Sequence, residues 1–481
     1  MDIRIEKKAS IVFENNVLII SAKNNIKNEY GLSEKEYNYV IEKIEKGDSL
    51  VVVNQYDRLF FQVVIDDKKS LHLQLEDIRK QGSKVQNRLS DYKIDTLDIV
   101  DTAIQANCLM ALLEGIVLGA YRFAKYFKKA DEKICKLKHI NVISDQVQEV
   151  ELTRLHHVMS AVYYVRNMIN EPVNVLNAEA LADEILNIGT EAGCEVEVFN
   201  KTKIEALKMG GLLAVNKGSV DLPTFTVVEW KPANAINSKP YVLVGKGVVY
   251  DTGGLSLKPT GDSMDYMKSD MSGAAIAAGV IYAIAKNKLP IYVIGLMPAT
   301  DNRPSGNAYA PGDVIHMMDG TTVEMLNADA EGRMILADAL TYAKRYDPEL
   351  VINLATLTGS ASIAIGNYAL VAMGNASAEV KSDLQKSAEL TFERIAEFPF
   401  WDDYAQEIKS DIADIKNIGG KSAGAITAGK FLEHFTSYPF MHFDIAGVAF
   451  SKKNDSYRGK GGTAFGLRLL YHFFEQKCIA K

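Results

Sequence analysis

Apolar residues in this chain occur as short uniform runs separated by longer amphipathic segments. The runs Val17–Ile20 and Leu50–Val53 are entirely apolar, and similar runs occur at 241–244, 291–296 and 350–354. Short apolar runs of this kind are typical of strands that are covered on both faces. We therefore predict a strand at each of these positions.

Helical periodicity occupies the segments between these runs. Ser33 followed by Glu36 predicts a capping box at the start of a helix that extends through Lys46. Between Asp98 and Phe127, apolar residues beginning at Ala103 also follow helical spacing. Further helices are predicted at 150–170, 271–286, 333–346 and 423–435. Strands that alternate with helices predict an α/β fold with two α/β domains, of which the C-terminal one contains a mainly parallel sheet flanked by helices.

Glycine and proline divide the chain unevenly. All 12 prolines lie at or after Pro172, and only five of the 34 glycines precede it. Because these residues mark tight loops and loops carry functional sites, we expect the chemistry in the C-terminal part. The predicted division is an N-terminal α/β domain over 1–150, a connecting helix over 151–172 and a C-terminal domain over 173–481 that carries the chemistry.

Composition and charge exclude several classes of protein. The 481 residues are 47% hydrophobic and 24% charged, as in ordinary globular proteins, and the net charge is −7. The first 150 residues carry 23 basic and 23 acidic side chains, so no nucleic-acid partner is expected. The four cysteines form no CxxC pair, which disfavours a cysteine zinc site or a disulfide framework. The first residues lack the apolar stretch of a signal peptide. The longest low-polarity run, 273–285, is shorter than the ~20 residues that a membrane span needs. We expect a cytoplasmic protein without a membrane partner.

Charged residues stand among glycines at positions next to buried segments. Lys246 and Asp251 follow the apolar run 241–244, Asp270 precedes an apolar helix, and Asp329 and Glu331 directly precede another. Taken singly, an aspartate before a helix is ordinarily a cap and a lysine is ordinarily solvated. Together, however, four carboxylates at strand and helix ends would repel one another unless two divalent cations neutralised them. This arrangement favours a two-metal hydrolase.

Two segments carry a specific resemblance. The segment 244–254 reads V-G-K-G-V-V-Y-D-T-G-G, and 327–333 reads N-A-D-A-E-G-R. They are similar to motifs of the leucyl aminopeptidase family of dinuclear metallopeptidases, whose second motif is N-T-D-A-E-G-R, so that Ala328 replaces the usual threonine. Further matches lie at 166–174, 209–215, 355–359 and 444–447. The resemblance covers roughly residues 100–470.

The resemblance implies the ligands of two divalent cations, with Mn²⁺ or Zn²⁺ expected. The tighter site would use Lys246, Asp251, Asp270 and Glu331, with the lysine as a neutral amine. The exchangeable site would use Asp251, Asp329 and Glu331, so that Asp251 and Glu331 bridge the two ions.

Catalysis and substrate binding are implied in the same way. Lys258 would stabilise the oxyanion of the tetrahedral intermediate, and Arg333 would hold a bicarbonate ion that acts as general base. The substrates would be peptides with a free N-terminus, cleaved with a broad preference that leans to Leu or Met, and the assembly would be a homohexamer. Substrate contacts are implied for Met267, Asn327, Thr356 and Gly359. This chain has one residue more between Lys258 and Asp270 than the family pattern, within 259–263, and we expect an enlarged loop at the mouth of the site.

Two other interpretations remain open from the sequence. Residues 420–424 fit G-x-S-x-G, which would make Ser422 the nucleophile of a serine hydrolase, although the preceding residues are polar instead of strand-like. A non-catalytic binding protein on a peptidase frame is the other class. A histidine-based zinc peptidase is not favoured, because the eight histidines include no HExxH.

Overall fold

The computed structural model of the chain describes residues 1–66, 68–102 and 105–479. These residues pack into two units. The first comprises Met1–Tyr163 and Lys453–Lys460, and the second comprises Tyr164–Lys452 and the residues from Gly461 onward. The division falls inside a helix, Glu149–Asn170, which agrees with the helix predicted at 150–170. The domain boundaries predicted from the sequence stay a prediction; the packed units differ from them in placing 453–460 with the N-terminal part.

The first unit is built on a six-stranded sheet. The strands are β1 Arg4–Lys7, β2 Asn16–Ala22, β3 Leu50–Asn54, β4 Leu59–Ile65, β5 Thr96–Thr102 and β6 His139–Ile143. Their order in the sheet is β1-β6-β5-β2-β4-β3, and all neighbouring strands are parallel except the hairpin β3–β4. The helices are α1 Glu34–Glu45, α2 Leu71–Asp91 and α3 Ala106–Ala120, with a 3₁₀ turn at Ala130–Glu132, and α4 is Glu149–Asn170.

One helix prediction in this unit is confirmed and another is wrong at its start. The capping box of α1 is present, with Ser33 N–H donating to Glu36 and Glu36 N–H donating to the Ser33 hydroxyl. The helix predicted from Asp98 begins only at Ala106, because Thr96–Thr102 forms a strand between β2 and β6 and buries Leu97 and Ile99. Ala103 lies outside the described residues.

The second unit contains a nine-stranded sheet. The strands are β7 Glu195–Phe199, β8 Thr224–Trp230, β9 Tyr241–Gly245, β10 Gly247–Asp251, β11 Val293–Asn302, β14 Leu350–Ala355, β15 Leu370–Gly374, β16 Ile395–Glu397 and β18 Phe440–Asp444. Their order in the sheet is β16-β15-β18-β14-β9-β11-β8-β7, and β10 pairs with β11. The central strands β18, β14, β9, β11 and β10 are parallel, and antiparallel pairs occur towards both edges.

Smaller sheets and helices complete the second half of the chain. The strands β12 Asp313–His316, β13 Thr322–Met325 and β17 Ile415–Lys416 form a three-stranded sheet, and β19 Phe450–Asp455 pairs with β20 Gly459–Gly462. The helices are α5 Ala178–Ala192, α6 Lys201–Ala206, α7 Gly210–Asn216, α8 Ser272–Lys286, α9 Glu331–Ala343, α10 Gly359–Ile365, α11 Ala378–Thr391, α12 Gly424–His434 and α13 Leu467–Ile479. 3₁₀ turns occupy Met264–Ser269, Lys344–Tyr346, Asp402–Ile408 and Ser456–Arg458. A mixed α/β architecture with parallel-rich sheets flanked by helices is thus confirmed.

Close packing brings the ends of two helices to the carboxyl edge of the parallel strands. Val242 and Val244 of β9 face α9, and α8 packs against β9, β11 and β14. A Cβ atom on Gly273 would lie 2.1 Å from the carbonyl oxygen of Leu354 and 2.8 Å from the nitrogen of Lys246. Only glycine allows this approach, so the first turn of α8 lies directly beside Lys246.

Candidate metal centre and active site

Four acidic side chains converge from separate segments at this edge of the sheet. Asp251 is the last residue of β10, and Asp270 follows the 3₁₀ turn that leads into α8. Asp329 lies in the turn before α9, and Glu331 is the first residue of that helix. Asp251, Asp329 and Glu331 each offer an oxygen within 4.8 Å of the others. The structure therefore brings together residues that are up to 80 positions apart in the sequence.

Two lysines lie among these carboxylates. Lys246 Nζ is 2.8 Å from Asp270 Oδ2 and 2.9 Å from Glu331 Oε1, and it donates to the Thr356 carbonyl at 3.0 Å. Lys258 Nζ is 2.9 Å from Asp251 Oδ2 and also contacts Asp329. The lysines thus divide the four acids between them, and all five predicted metal-binding residues lie in one cluster with Lys258.

Burial makes this cluster electrostatically costly. Burial and the charge of Asp251 raise the pKa of Asp329 to about 6 and that of Glu331 to about 8, and burial also raises the pKa of Asp270. For Lys246 and Lys258, burial disfavours the charge, but the surrounding carboxylates outweigh it and raise the pKa of each ammonium. Concentrated carboxylate oxygens with only lysine as counterion suit divalent cations, so the residues present fit the implied metals.

The turn that carries Asp329 is held by side chains from three other segments. The carbonyl of Ala328 accepts from Asn302 Nδ2 and from the Tyr309 hydroxyl, both at 2.9 Å, and its N–H donates to the Ser256 hydroxyl at 3.0 Å. Asn417 Nδ2 donates to the Asn327 carbonyl at 2.8 Å. These bonds satisfy the buried backbone of the turn and fix where its acidic side chains point.

The side-chain amide of Asn327, a predicted substrate contact, is already used within this turn. Its Oδ1 accepts from the Asp329 N–H at 2.8 Å. Sequence reasoning did not find Asn302, Tyr309 or Asn417. For Asn302 a signal existed, since it is a polar residue at the end of a buried strand, as Asp251 is.

The loop after β14 reaches one acid of the cluster, Asp270, and a further buried acid, Asp444. The Thr356 hydroxyl donates to Asp270 Oδ1 at 2.6 Å, and Asp444 accepts from the Leu357 N–H and the Thr358 hydroxyl. Thr356 is a predicted substrate contact, and that prediction stands while its hydroxyl is committed to a predicted metal ligand. Gly359 is the exposed first residue of α10.

Met267 and the segment 259–263 both lie in the connection between Lys258 and Asp270. Met267 is half-buried in the 3₁₀ turn, and its carbonyl accepts from the Asp270 N–H at 3.2 Å. In the longer segment 259–263, Asp262 has a left-handed backbone with a φ of 60°. Lys452 Nζ donates to the Asp262 carbonyl at 3.2 Å and to its Oδ1 at 3.1 Å. The segment 259–263 is thus anchored at Asp262 by Lys452.

Arg333 is buried in the first turn of α9. Its Nε and Nη1 have no hydrogen-bond partner among the described residues, and its guanidinium carbon lies 5.9 Å from the centre of the Phe431 ring. Burial lowers its pKa to about 10, which leaves it cationic at neutral pH. Burial and the Arg333 charge lower the pKa of His442 to about 3, and His442 Nδ1 bonds Asn353 at 2.6 Å. A buried cation with free donors favours a small anion as its partner.

Ser422 lacks the surroundings of an activated serine. It is exposed in the loop before α12, and the strand that precedes it, Ile415–Lys416, has only two residues. Across 1–66, 68–102 and 105–479, no hydrogen bond joins Ser422 to a histidine. Nothing in this geometry supports a serine hydrolase. Separately, none of the helices in the described ranges is long and apolar enough to cross a membrane.

Comparison with known proteins gives a consistent family. A model of the cytosol aminopeptidase family, catalytic domain, matches residues 163–471. A protein of Chlorobium limicola named "Probable cytosol aminopeptidase" is 41% identical over 424 residues, and one of Chlorobaculum parvum with the same name is 45% identical over 423 residues. Each alignment covers 83% of this chain and 83% of the relative. A relative of Clostridium perfringens, also so named, is 41% identical, with 85% of each chain covered.

A solved structure has the same fold over nearly the whole chain. The bottromycin maturation enzyme BotP, in complex with Mn, superposes with a TM-score of 0.84 at 26% identity. The match covers 96% of this chain and 99% of that one.

Proposed function

The chain belongs to the cytosol aminopeptidase family of metal-dependent hydrolases, and from this premise we propose that it releases N-terminal residues from peptides at a centre of two divalent cations. It is a leucyl aminopeptidase-type exopeptidase by family. The observation that supports the two-metal centre is the cluster of four converging carboxylates with two lysines as their counterions.

The ligands divide into two sets. Lys246, Asp251, Asp270 and Glu331 would hold the tighter cation, and Asp251, Asp329 and Glu331 the exchangeable one. We propose Mn²⁺ or Zn²⁺; a Mn complex of BotP is in keeping with the first. When bound, the two cations lower the pKa of water and polarise the scissile carbonyl. For Lys246 to ligate, its ammonium must lose a proton, so it must exchange its contacts with Asp270 and Glu331 for a cation.

Lys258 is proposed to stabilise the oxyanion. Its ammonium is favoured by Asp251 and Asp329, and its side chain is 15% exposed, in contrast to the 3% of Lys246. A partly exposed cation at the edge of a buried cluster can reach a bound substrate while it stays charged. Donors and cations fixed before reaction stabilise developing charge without reorganisation.

Arg333 is proposed to hold a bicarbonate ion, which would act as general base. The support is its buried guanidinium, of which two nitrogens have no partner in the described parts of the chain. The neutral imidazole of His442 adds no competing positive charge.

Substrate selection is proposed to combine a free α-amine with an apolar pocket. The pocket would include Met267, Thr356 and Gly359, with Asn327 at its edge. Because the Thr356 hydroxyl is bonded to Asp270, the methyl group of Thr356 would be the part that faces the side chain of the substrate. An apolar pocket discriminates by only about 1–3 kcal/mol per methylene, so a broad preference leaning to Leu or Met is expected.

The decisive experiment compares leucine amide with N-acetyl-leucine amide as substrates. We expect hydrolysis of the free-amine substrate alone, its loss after exhaustive chelation and its return with Mn²⁺ or Zn²⁺. Glu331→Gln should prevent the return, whereas Glu397→Gln, at an exposed residue that pairs with Lys381, should not. Cleavage that survives chelation, or cleavage of both substrates, would overturn the proposal.

The proposal also covers the oligomeric state, the cellular location and the start of the catalytic domain. We propose a homohexamer in the cytoplasm, with peptides as the only partners and a catalytic domain that begins near residue 173. Sedimentation of the purified protein tests the assembly: a mass of six chains is expected, and a monomer would contradict it.

A further inference from the structure

Asn302 joins two of the three segments that carry the acidic cluster. It is the last residue of β11, and its side chain is fully buried. Its Nδ2 donates to Asp251 Oδ1 at 2.8 Å and to the Ala328 carbonyl at 2.9 Å. Both hydrogens of the amide are therefore used, one on Asp251 at the end of β10 and one in the turn that leads to Asp329 and Glu331.

The contact fixes which oxygen of Asp251 remains for a cation. Oδ1 accepts from Asn302 Nδ2 and from the Gly253 N–H, both at 2.8 Å, whereas Oδ2 faces Lys258 Nζ at 2.9 Å. With Oδ1 held by two neutral donors, the carboxylate cannot rotate about its bond without breaking both. Oδ2 is thus held towards the cationic side of the cluster.

The same amide also sets the position of the turn. The Ala328 carbonyl accepts from Asn302 and from the Tyr309 hydroxyl, which occupies both of its lone pairs. Any displacement of Asn302 therefore changes the distance between Asp251 and the two acids that follow Ala328.

The side chain is not needed for the sheet itself. The backbone carbonyl of Asn302 already accepts from the Thr252 N–H at 3.1 Å and from its hydroxyl at 2.8 Å, which continues the pairing of β10 with β11. Its amide donates only to Asp251 and Ala328. From these contacts we propose that Asn302 is a positioning residue that sets the spacing of the two ligand-bearing segments, and so the affinity for cations.

This inference rests on the proposed function, because it concerns cation binding at the same cluster. Groups that orient metal ligands typically contribute 10–100-fold to metal affinity or activity. Asn302→Ala should therefore weaken Mn²⁺ binding about 10–100-fold, with part of the lost activity returning at saturating Mn²⁺.

Asn237 provides a control at the opposite end of β11, where it bonds the backbone of Tyr292 just before the strand begins. It is also buried, its Nδ2 donates to the carbonyls of Lys239 and Tyr292, and its Oδ1 accepts from the Tyr292 N–H. Asn237→Ala removes three side-chain hydrogen bonds and Asn302→Ala removes two, so the control should lower the melting temperature at least as much while Mn²⁺ affinity stays within twofold of the parent.

The test is calorimetric titration of the chelated full-length protein with Mn²⁺, with melting temperatures measured in parallel. If Asn302→Ala does not fold, Asn302→Ser replaces it, since serine keeps a polar group but is too short to reach both acceptors. Parent-like Mn²⁺ affinity in a folded Asn302 variant would overturn the inference and leave the proposed function standing. A parent protein that binds no cation would overturn both, and equal loss in the Asn237 control would reduce the role of Asn302 to general stability.

Discussion

Replacement of Gly332 by alanine tests the geometry of the cluster at a single atom. Gly332 lies in the first turn of α9, between Glu331 and Arg333. A Cβ atom there would lie 2.5 Å from Cε, 2.7 Å from Nζ and 2.8 Å from Cδ of Lys246. Carbon atoms prefer separations of about 3.5–4.0 Å, so the end of the lysine must move by about 1 Å.

The expected effect separates activity from stability. The displaced atoms are the end of a flexible chain, and alanine is favoured over glycine in a helix by about 1 kcal/mol, so the melting temperature should hardly change. Lys246, in contrast, would lose its position between Asp270 and Glu331. Misplacement by about 1 Å can cost about 100-fold in rate, which corresponds to about 2.7 kcal/mol of transition-state stabilisation.

The assay is kcat/KM for leucine amide at saturating Mn²⁺, with Mn²⁺ titration and thermal melting of the same preparations. Gly306→Ala serves as control, since a Cβ atom on Gly306 would meet nothing within 4 Å. A Gly332→Ala protein with the parent's kcat/KM and Mn²⁺ affinity would refute the reasoning. A large loss of melting temperature would also refute it, because the overlap would then have been relieved by the backbone of α9.

Three further outcomes are expected. Lys258→Met should lower kcat for leucine amide by about 10²–10³ with little change in KM, and a KM effect alone would argue against an oxyanion role. Thr356→Val, which removes the bond to Asp270 at nearly constant volume, should weaken Mn²⁺ binding several-fold in calorimetric titration, and unchanged affinity would count against it. Burial raises the pKa of Asp338 to about 7, although it accepts from two backbone N–H groups. The pKa of Asp338 in the folded protein exceeds the value of about 3.9 in the unfolded chain. The stability that Asp338 contributes is therefore complete below about pH 4 and is lost as the pH rises to 7, by up to about 1.4 kcal/mol per pH unit. In urea unfolding between pH 5 and 7, Asp338→Asn should therefore gain stability relative to the parent as the pH rises; a difference that does not vary with pH would contradict this.

The local elements followed from local signals. The capping box at Ser33 and the apolar runs at 241–244 and 350–354 needed no partner to be identified, because side-chain periodicity and capping act over a few residues. The error at Asp98 shows the limit of such signals. Helical spacing from Ala103 onward does not show where the helix begins, and pairing with β2 and β6 makes the residues up to Thr102 a strand.

The sequence by itself determined the family, the α/β class and the set of acidic and basic residues to be examined, since motifs such as N-A-D-A-E-G-R are specific even without coordinates. Only the tertiary structure decided how these residues are held. The two amide bonds of Asn302, the commitment of the Thr356 hydroxyl to Asp270 and the closeness of Gly332 to Lys246 each join segments far apart in the chain. Such contacts leave no local pattern in the sequence, because they arise only when the ends of separate strands and helices are brought to one edge of the sheet.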